Sequence, residues 1–195
     1  SIMAGNVATA EAFGDLTLWG ADIIRVGIGG GSICSTRIQT GHGVPTLQSV
    51  IDCRDASDAV LVADGGIKTA GDIVKALAAG ADAVMLGSLL AGTSCSPGEV
   101  FQSKTGKKYK AYRGMASREA QQEWRGNASS LEGISTTIPY KGETSDILND
   151  LSQNIRSGLS YSGARSIREL QLRSRFIVQS SASQQESGTH ILASR

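Results

Sequence analysis

The residues that most clearly suggest chemistry lie in the stretch GIGGGSICSTR, residues 27–37. A thiol, Cys34, stands among glycines and is followed by the hydroxyl of Thr36 and the guanidinium of Arg37. A thiolate is a strong nucleophile, and the exposed amides of a glycine-rich loop both lower the pKa of a thiol and cradle an anion. The stretch therefore predicts a nucleophilic cysteine beside a ligand cradle. A flexible loop with a small, half-buried cysteine is the alternative interpretation.

The composition limits the classes of function. The chain has 195 residues, of which 40% are hydrophobic and 19% charged, as in an ordinary globular domain. Its formal net charge of +1 argues against nucleic acid or an anionic membrane as a partner, because both demand a clustered basic excess. No apolar run approaches the roughly 20 residues that span a bilayer, and no signal-peptide pattern opens the chain. We therefore expect a soluble, cytoplasmic protein.

The cysteines predict neither a disulfide framework nor a zinc site. There are three, Cys34, Cys53 and Cys95, an odd number at no metal-ligand spacing. Reduced thiols fit a reducing compartment, which agrees with a cytoplasmic location.

Apolar runs alternate with helix-like segments, and this pattern is typical of βαβ units. We predict strands at 1–7, 22–28, 59–66 and 82–88 and helices at about 9–19, 45–58 and 69–79. Every strand ends in glycine, asparagine, aspartate or serine, and a (β/α)₈ barrel builds its active site and holds phosphate at the carboxyl ends of its strands. The predicted fold class is therefore α/β, a (β/α)₈ TIM barrel. The alternative explanation is that these glycine and polar residues only form turns after the strands.

The chain is too short for a whole barrel, which needs roughly 250 residues. We interpret residues 1–178 as the C-terminal part of a single TIM-barrel catalytic domain. A flap at about 106–142 follows the strands; it consists of a hairpin arm, a short helix with a polar loop, and a returning strand. Further helices are predicted at 144–159 and 162–170, and the Ser- and Gln-rich tail, 179–195, is expected to be disordered.

A series of motifs indicates a family. In order they are IMAGNV, ADIIRVGIGGGSICSTR, TGHGVP, ADGGI, VMLGS, YRGMAS, LEG, PYKG and IRSGLSYSGA. Over nearly all of residues 1–178 the chain resembles the purine-nucleotide oxidoreductases that comprise IMP dehydrogenase and GMP reductase. The resemblance implies a cysteine that attacks C2 of the purine ring, and this role falls on Cys34.

The resemblance also implies ligand-binding residues. Phosphate, ribose and base contacts are expected at Ser32, Asp64, Gly65, Gly66, Gly87, Ser88, Gly114, Met115, Ala116 and Gly133. Cofactor contacts are expected at Met115, Tyr161, Ser162, Gly163 and Ala164, the last four across a subunit boundary in a homotetramer. A potassium ion is implied at the carbonyls of Gly29, Gly31 and Cys34, with Arg37 nearby. Gly30 replaces the proline usual in the family, a change expected to make the loop more flexible.

Two features favour the reductase branch of the family. The dehydrogenase branch hydrolyses its intermediate with a flap that carries an Arg-Tyr pair, whereas the fourteen residues 118–131 are too few for that flap and contain no such pair. In the reductase branch a threonine and a glutamate assist departure of the 2-amino group, and Thr36 and Glu132 stand at those positions. A helix N-cap and a solvated carboxylate are the alternative interpretations of these two residues.

The predicted function is therefore that of an NADPH-dependent GMP reductase, which converts GMP to IMP and releases ammonia through a covalent thioimidate on Cys34. Two alternatives stay open. One is IMP dehydrogenase, which oxidises IMP to XMP with NAD, and the other is a catalytically incomplete fragment that only binds purine nucleotides.

Overall fold

Four parallel strands form the main sheet, as the alternating pattern predicted. They are β1 (Met3–Val7), β2 (Ile23–Val26), β3 (Val60–Asp64) and β4 (Ala83–Met85), in the order β1-β2-β3-β4. The computed structural model describes residues 1–189. Because the strands lie side by side in chain order, with a helical connection between each pair, the sheet has the connectivity of part of a barrel wall. Among the described residues β1 and β4 are its open edges.

Four helices follow the strands. They are α1 (Ala10–Leu18), α2 (Thr36–Thr40), α3 (Thr46–Arg54) and α4 (Ala70–Ala78). Side-chain hydroxyls cap two of them, because Thr9 accepts from the amide of Ala12, and Thr69 and Asp72 form a reciprocal capping box. Helices α1, α3 and α4 pack on the sheet. The shared core contains the fully buried side chains of Phe13, Ile24, Val26, Val50 and Leu61.

The predicted flap is a small antiparallel sheet with a helix. Its strands are β5 (Val100–Gln102), β6 (Lys108–Arg113) and β7 (Ser135–Pro139), and α5 (Arg118–Arg125) connects β6 to β7. Strands β6 and β7 confirm the predicted hairpin arm and returning strand. Sequence reasoning missed β5, because three exposed residues carry no periodic signal.

Three helices follow the flap: α6 (Thr144–Tyr161), α7 (Ile167–Arg173) and α8 (Ser181–Glu186). Helices α6 and α7 pack against α4. Helix α6 confirms the prediction at 144–159, whereas α7 begins later than predicted because the Ser166 hydroxyl caps it at the amide of Glu169. A second apolar cluster joins these helices to α4 through Ile73, Leu77, Leu151, Ile155 and Leu170.

Helix α8 corrects part of the expected disorder at 179–195. The hydroxyl of Ser180 accepts from the amide of Ser183 and caps a short run of residues that favour helix. Residues 190–195 lie outside the described part of the chain, so the rest of that expectation stays a prediction. None of the helices described within residues 1–189 is long and apolar enough to cross a membrane.

Candidate active site

The polar ends of the parallel strands converge on a pocket of about 210 Å³. Strand β3 leads directly into Asp64-Gly65-Gly66, and β4 is followed by the turn that contains Gly87 and Ser88. The flap closes the opposite wall. The predicted residues that line the pocket are Gly31, Ser32, Cys34, Asp64, Gly65, Gly66, Gly87, Ser88, Gly114, Met115, Ala116, Glu132 and Gly133. The structure thus brings the expected nucleophile and substrate-binding residues together.

A chain of hydrogen bonds links the three predicted catalytic residues. The thiol of Cys34 donates to Oγ1 of Thr36 over 3.1 Å, and the Thr36 hydroxyl donates to Oε2 of Glu132 over 2.7 Å. Thr36 is not the N-cap of α2, because Ser35 occupies that position. The helix-cap interpretation of Thr36 therefore does not hold, and the carboxylate of Glu132, although open to solvent, has a hydrogen-bond partner in Thr36. The arrangement can carry a proton between the thiol and the carboxylate.

Backbone pairing places Glu132 beside the thiol. Cys34 and Gly133 form an isolated antiparallel bridge, in which the amide of Ser35 donates to the carbonyl of Glu132 over 2.8 Å and the amide of Ile134 to the carbonyl of Ile33 over 3.1 Å. The flap segment before β7 is thereby joined to the glycine loop at Cys34 itself. The approach is close at 133, because a Cβ there would lie 3.0 Å from the backbone nitrogen of Ser117, so a larger residue would require a small shift of that backbone.

Glu132 is held in its charged form. Hydrogen bonds from Thr36 and then from Ser130, whose hydroxyl lies 3.0 Å from Oε1, keep the pKa of the Glu132 carboxyl below its ordinary value. A carboxylate accepts hydrogen bonds only, so Glu132 is the proton acceptor at the end of the chain that starts at Cys34.

Asp64 is oriented by two residues that sequence reasoning missed. Its Oδ2 accepts from Nη2 of Arg25 over 2.7 Å and from Nδ2 of Asn6 over 2.8 Å. No described residue donates to Oδ1, which leaves that oxygen for a ligand. Asn6 lies in β1 and Arg25 in β2, the two strands before β3 in the sheet. The position of both residues on neighbouring strands was the signal in the sequence, because pairing of parallel strands brings their side chains to the same height along the sheet.

Two further residues contact the polar loops that line the pocket. Tyr112 lines the pocket, and its hydroxyl lies 3.3 Å from Oγ of Ser32. The ammonium of Lys141 donates to the carbonyl of Ser88 and, over 3.2 Å, to the carbonyl of Leu89. Burial lowers the pKa of Lys141. Lys141 therefore braces the turn after β4, a role that no pattern around it indicated.

Close contacts explain two glycines of the loop. Gly27 has φ +141° and a Cβ there would lie 1.9 Å from the carbonyl oxygen of Asp64. At Gly30 a Cβ would lie 2.6 Å from Oγ1 of Thr46. The glycine at position 30 thus makes room for Thr46, in addition to the flexibility that the sequence suggested.

The backbone carbonyl oxygens of the loop are suitable ligands for the implied potassium ion. No described residue donates a hydrogen bond to the carbonyls of Gly29 and Cys34, and the carbonyl of Gly31 accepts one, from the amide of Cys34. Backbone carbonyl oxygens are ligands that K⁺ prefers. The guanidinium of Arg37 donates to the carbonyl of Val44 and, being positively charged, cannot itself bind a cation. Within residues 1–189 no cluster of His, Cys, Asp or Glu offers a side-chain metal site.

The expected cofactor residues divide into two groups. Met115 lines the pocket and is 77% exposed, so its side chain is free to contact a ligand. Residues 161–164 do not line the pocket of their own chain. Tyr161 is 95% exposed at the end of α6, whereas Ala164 is buried in the apolar cluster beside α4, so its side chain is not available to a cofactor.

Comparison with known proteins gives one family. The profile of the IMP dehydrogenase / GMP reductase domain matches residues 1–190. The chain is 48% identical to a GMP reductase from Leishmania major and 49% identical to an inosine-5'-monophosphate dehydrogenase from Halalkalibacterium halodurans, in each case over 97% of this chain and 41% of the relative. It therefore spans about two fifths of the length of these relatives.

A solved structure agrees with the sequence comparison. It is a cysteine-to-alanine variant of GMP reductase from Trypanosoma brucei in complex with guanosine 5'-monophosphate, which superposes with a TM-score of 0.92 at 44% identity. The match covers 97% of this chain and 41% of that one.

Proposed function

The chain belongs to the IMP dehydrogenase / GMP reductase family of oxidoreductases, which use a nicotinamide cofactor, and from that premise we propose that it forms the nucleotide site of a GMP reductase. The observation that carries the proposal is the Cys34–Thr36–Glu132 chain of hydrogen bonds at the wall of the pocket. Replacement of an amino group by a thiol requires a nucleophile, a group that relays its proton and a group that accepts the proton. These three groups are in contact here.

The pocket supplies a matching group for each part of GMP. The hydroxyls of Ser32 and Tyr112 and the backbone amides of the two strand-end turns, Gly65–Gly66 and Gly87–Ser88, receive the phosphate. The free Oδ1 of Asp64 accepts from the ribose hydroxyls. The base lies along Gly114–Ala116, which places C2 of the purine ring against the Cys34 thiol.

The first chemical step exchanges sulfur for nitrogen at C2. The Cys34 sulfur forms a bond to C2 as its proton passes through the Thr36 hydroxyl to the Glu132 carboxylate. The same proton then returns to the 2-amino group, the C2–N bond breaks, and ammonia leaves. Thiol plus amine becomes thioimidate plus ammonia, so atoms and charge balance. Glu132 begins and ends the step as a carboxylate.

The second step releases the product. The cofactor NADPH, when bound, supplies the hydride that C2 receives. Cys34 leaves as a thiolate, IMP is the product, and a proton from solvent restores the thiol. Met115 contacts the cofactor in this chain, and residues Tyr161–Gly163, of which Tyr161 and Gly163 are exposed, serve the pocket of a neighbouring subunit in a homotetramer. A potassium ion at the loop carbonyls would hold the glycine loop that carries Cys34.

In this proposal the flap excludes water from the covalent intermediate. Water that reached C2 would hydrolyse the intermediate and give XMP. Segment 118–131 of the flap folds as helix α5 and a short loop and contains no Arg-Tyr pair to activate water. IMP dehydrogenase is the second candidate, since a dehydrogenase relative is as similar as a reductase relative. The absence of a water-activating pair favours the reductase.

A paired assay tests the proposal. The protein, with any sequence that flanks this chain naturally, is incubated either with GMP and NADPH or with IMP and NAD, and cofactor absorbance is followed. We expect oxidation of NADPH in the first reaction, lost in Cys34→Ala. Reduction of NAD in the second reaction alone would assign the dehydrogenase instead. Binding of GMP with turnover in neither reaction would leave a nucleotide-binding protein.

A further inference from the structure

Helix α5 of the flap buries a carboxamide. Gln121 is 6% exposed, although the residues that follow it, Gln122, Glu123 and Trp124, are all exposed. A buried carboxamide costs free energy unless its donor and its acceptor are both satisfied. Both ends of Gln121 have partners: Nε2 donates to the carbonyl of Ala116 over 3.1 Å, and Oε1 accepts from the amide of Ser129 over 2.9 Å.

The two partners belong to segments that form different walls of the pocket: Ala116 itself lines it, and Ser129 lies three residues before the lining residue Glu132. Ala116 ends the segment that receives the base in the proposed function, and Ser129 opens the loop that ends in Glu132. The two walls are also in close backbone contact, since a Cβ on Gly133 would lie 3.1 Å from the carbonyl carbon of Ala116. Gln121 therefore ties the base segment to the proton-accepting carboxylate.

We propose that Gln121 is a positioning residue for the reaction, which fixes Glu132 against Thr36 and the purine-facing segment. This inference rests on the proposed function, in which Glu132 is the proton acceptor. Loop 129–132 is exposed or half-buried over its length, and Gln121 is the side chain of α5 that holds its backbone. Without that bond the loop gains freedom, and the 2.7 Å contact between Thr36 and Glu132 is populated less often. A misplacement of about 1 Å at such a site costs up to about 10²-fold in rate.

Two substitutions separate the two bonds. Gln121→Met keeps the length of the side chain and removes both bonds, whereas Gln121→Glu keeps the acceptor for Ser129 and loses the donor to Ala116. Gln122→Met is the matched control, because Gln122 is the next residue of the same helix and is exposed. We expect kcat to fall at least about tenfold in Gln121→Met, with KM for GMP changed less than about threefold, and to stay unchanged in the control.

Amide hydrogen exchange supplies a readout that does not need activity. The amide of Ser35 donates to the carbonyl of Glu132, so its exchange reports whether Glu132 stays in place. In folded Gln121→Met we expect this amide to exchange at least about threefold faster than in wild type and in Gln122→Met. Should Gln121→Met fail to fold, Gln121→Ala takes its place, because it also removes the bond to Ser129 and should show the same acceleration.

The outcomes are distinct. Unchanged kcat together with unchanged exchange at Ser35 in the Gln121 variants overturns the inference. A wild-type protein that does not oxidise NADPH with GMP overturns the proposed function. In that case exchange at Ser35 still decides whether Gln121 holds Glu132.

Discussion

Thr36 donates its hydroxyl hydrogen to Oε2 of Glu132 over 2.7 Å, although 96 positions separate the two residues in the chain. The contact exists because the flap segment just before β7 pairs with the glycine loop through the isolated bridge between Cys34 and Gly133. The proposed catalytic function therefore depends on the docking of the flap as much as on the barrel strands.

Removing the hydroxyl of Thr36 should stop the chemistry and spare binding. Thr36→Val keeps the shape of the side chain and breaks both hydrogen bonds of the relay. We expect kcat for GMP reduction to fall by about 10²-fold or more, the range of a general acid–base contribution. The dissociation constant for GMP, measured by calorimetry, should change less than about threefold. Thr36→Ser is the control and should retain most of the activity; equal activity in Thr36→Val would remove Thr36 from the mechanism.

The pH dependence of turnover should follow Glu132. Hydrogen bonds from Thr36 and Ser130 lower the pKa of Glu132, so the stabilising interaction is present above the ordinary pKa and is lost as the pH falls through the lowered value. Ser130→Ala removes one of the two bonds, so the pKa of Glu132 rises toward its ordinary value. The acid limb of the kcat profile should accordingly move to higher pH. Ser129→Ala is the matched control, because the Ser129 backbone makes the contact with Gln121. A profile that does not move in Ser130→Ala contradicts the role of Glu132.

The three cysteines should differ in reactivity. Burial and the nearby carboxylate of Asp52 raise the pKa of Cys53 to about 11, whereas Cys95 is exposed and Cys34 is half-buried in the pocket. With iodoacetamide near neutral pH we therefore expect alkylation at Cys34 and Cys95 and none at Cys53. GMP should slow alkylation of Cys34 and leave that of Cys95 unchanged, as measured by mass spectrometry of peptides. Equal protection of both, or of neither, would place GMP elsewhere.

The charge of Asp64 should contribute to nucleotide affinity. Asp64→Asn replaces a carboxylate whose Oδ2 is held by Arg25 and Asn6 and whose Oδ1 is free for the ribose. A hydrogen bond to a charged group contributes about 1.5–3 kcal/mol, so affinity for GMP should fall about 10- to 100-fold. Asp58→Asn, at an exposed position remote from the pocket, is the control. Unchanged affinity in Asp64→Asn would show that the ribose binds to other groups.

The loop glycine at 27 should be sensitive to a single methyl group. Gly27→Ala places a Cβ 1.9 Å from the carbonyl oxygen of Asp64 at φ +141°, so we expect a loss of about 3 kcal/mol or more in the free energy of unfolding. Gly14→Ala, in the interior of α1, meets no atom within 4 Å and should gain up to about 1 kcal/mol through helix propensity. Thermal denaturation measures both. Equal melting temperatures for the two variants would refute the packing argument.

The sequence pattern predicted the strands and their polar ends, because a buried parallel strand is an apolar run and its end is marked by glycine or a polar side chain. The roles of Cys34, Thr36 and Glu132 came from the family resemblance and stay a prediction. Features set by register between distant segments were missed. Arg25 and Asn6 contact Asp64 only because β1, β2 and β3 are neighbours. Gln121 looks like any polar residue of a surface helix until its two partners are known. No local pattern encodes such pairings.

The products formed from GMP decide between the two reactions. With GMP and NADPH we expect the NADPH consumed to be matched by equal amounts of ammonia and IMP, and we expect none of these changes with Cys34→Ala. Formation of XMP from IMP and NAD, with no ammonia from GMP under any condition, would contradict the proposed reductase function and assign the pocket to the dehydrogenase reaction.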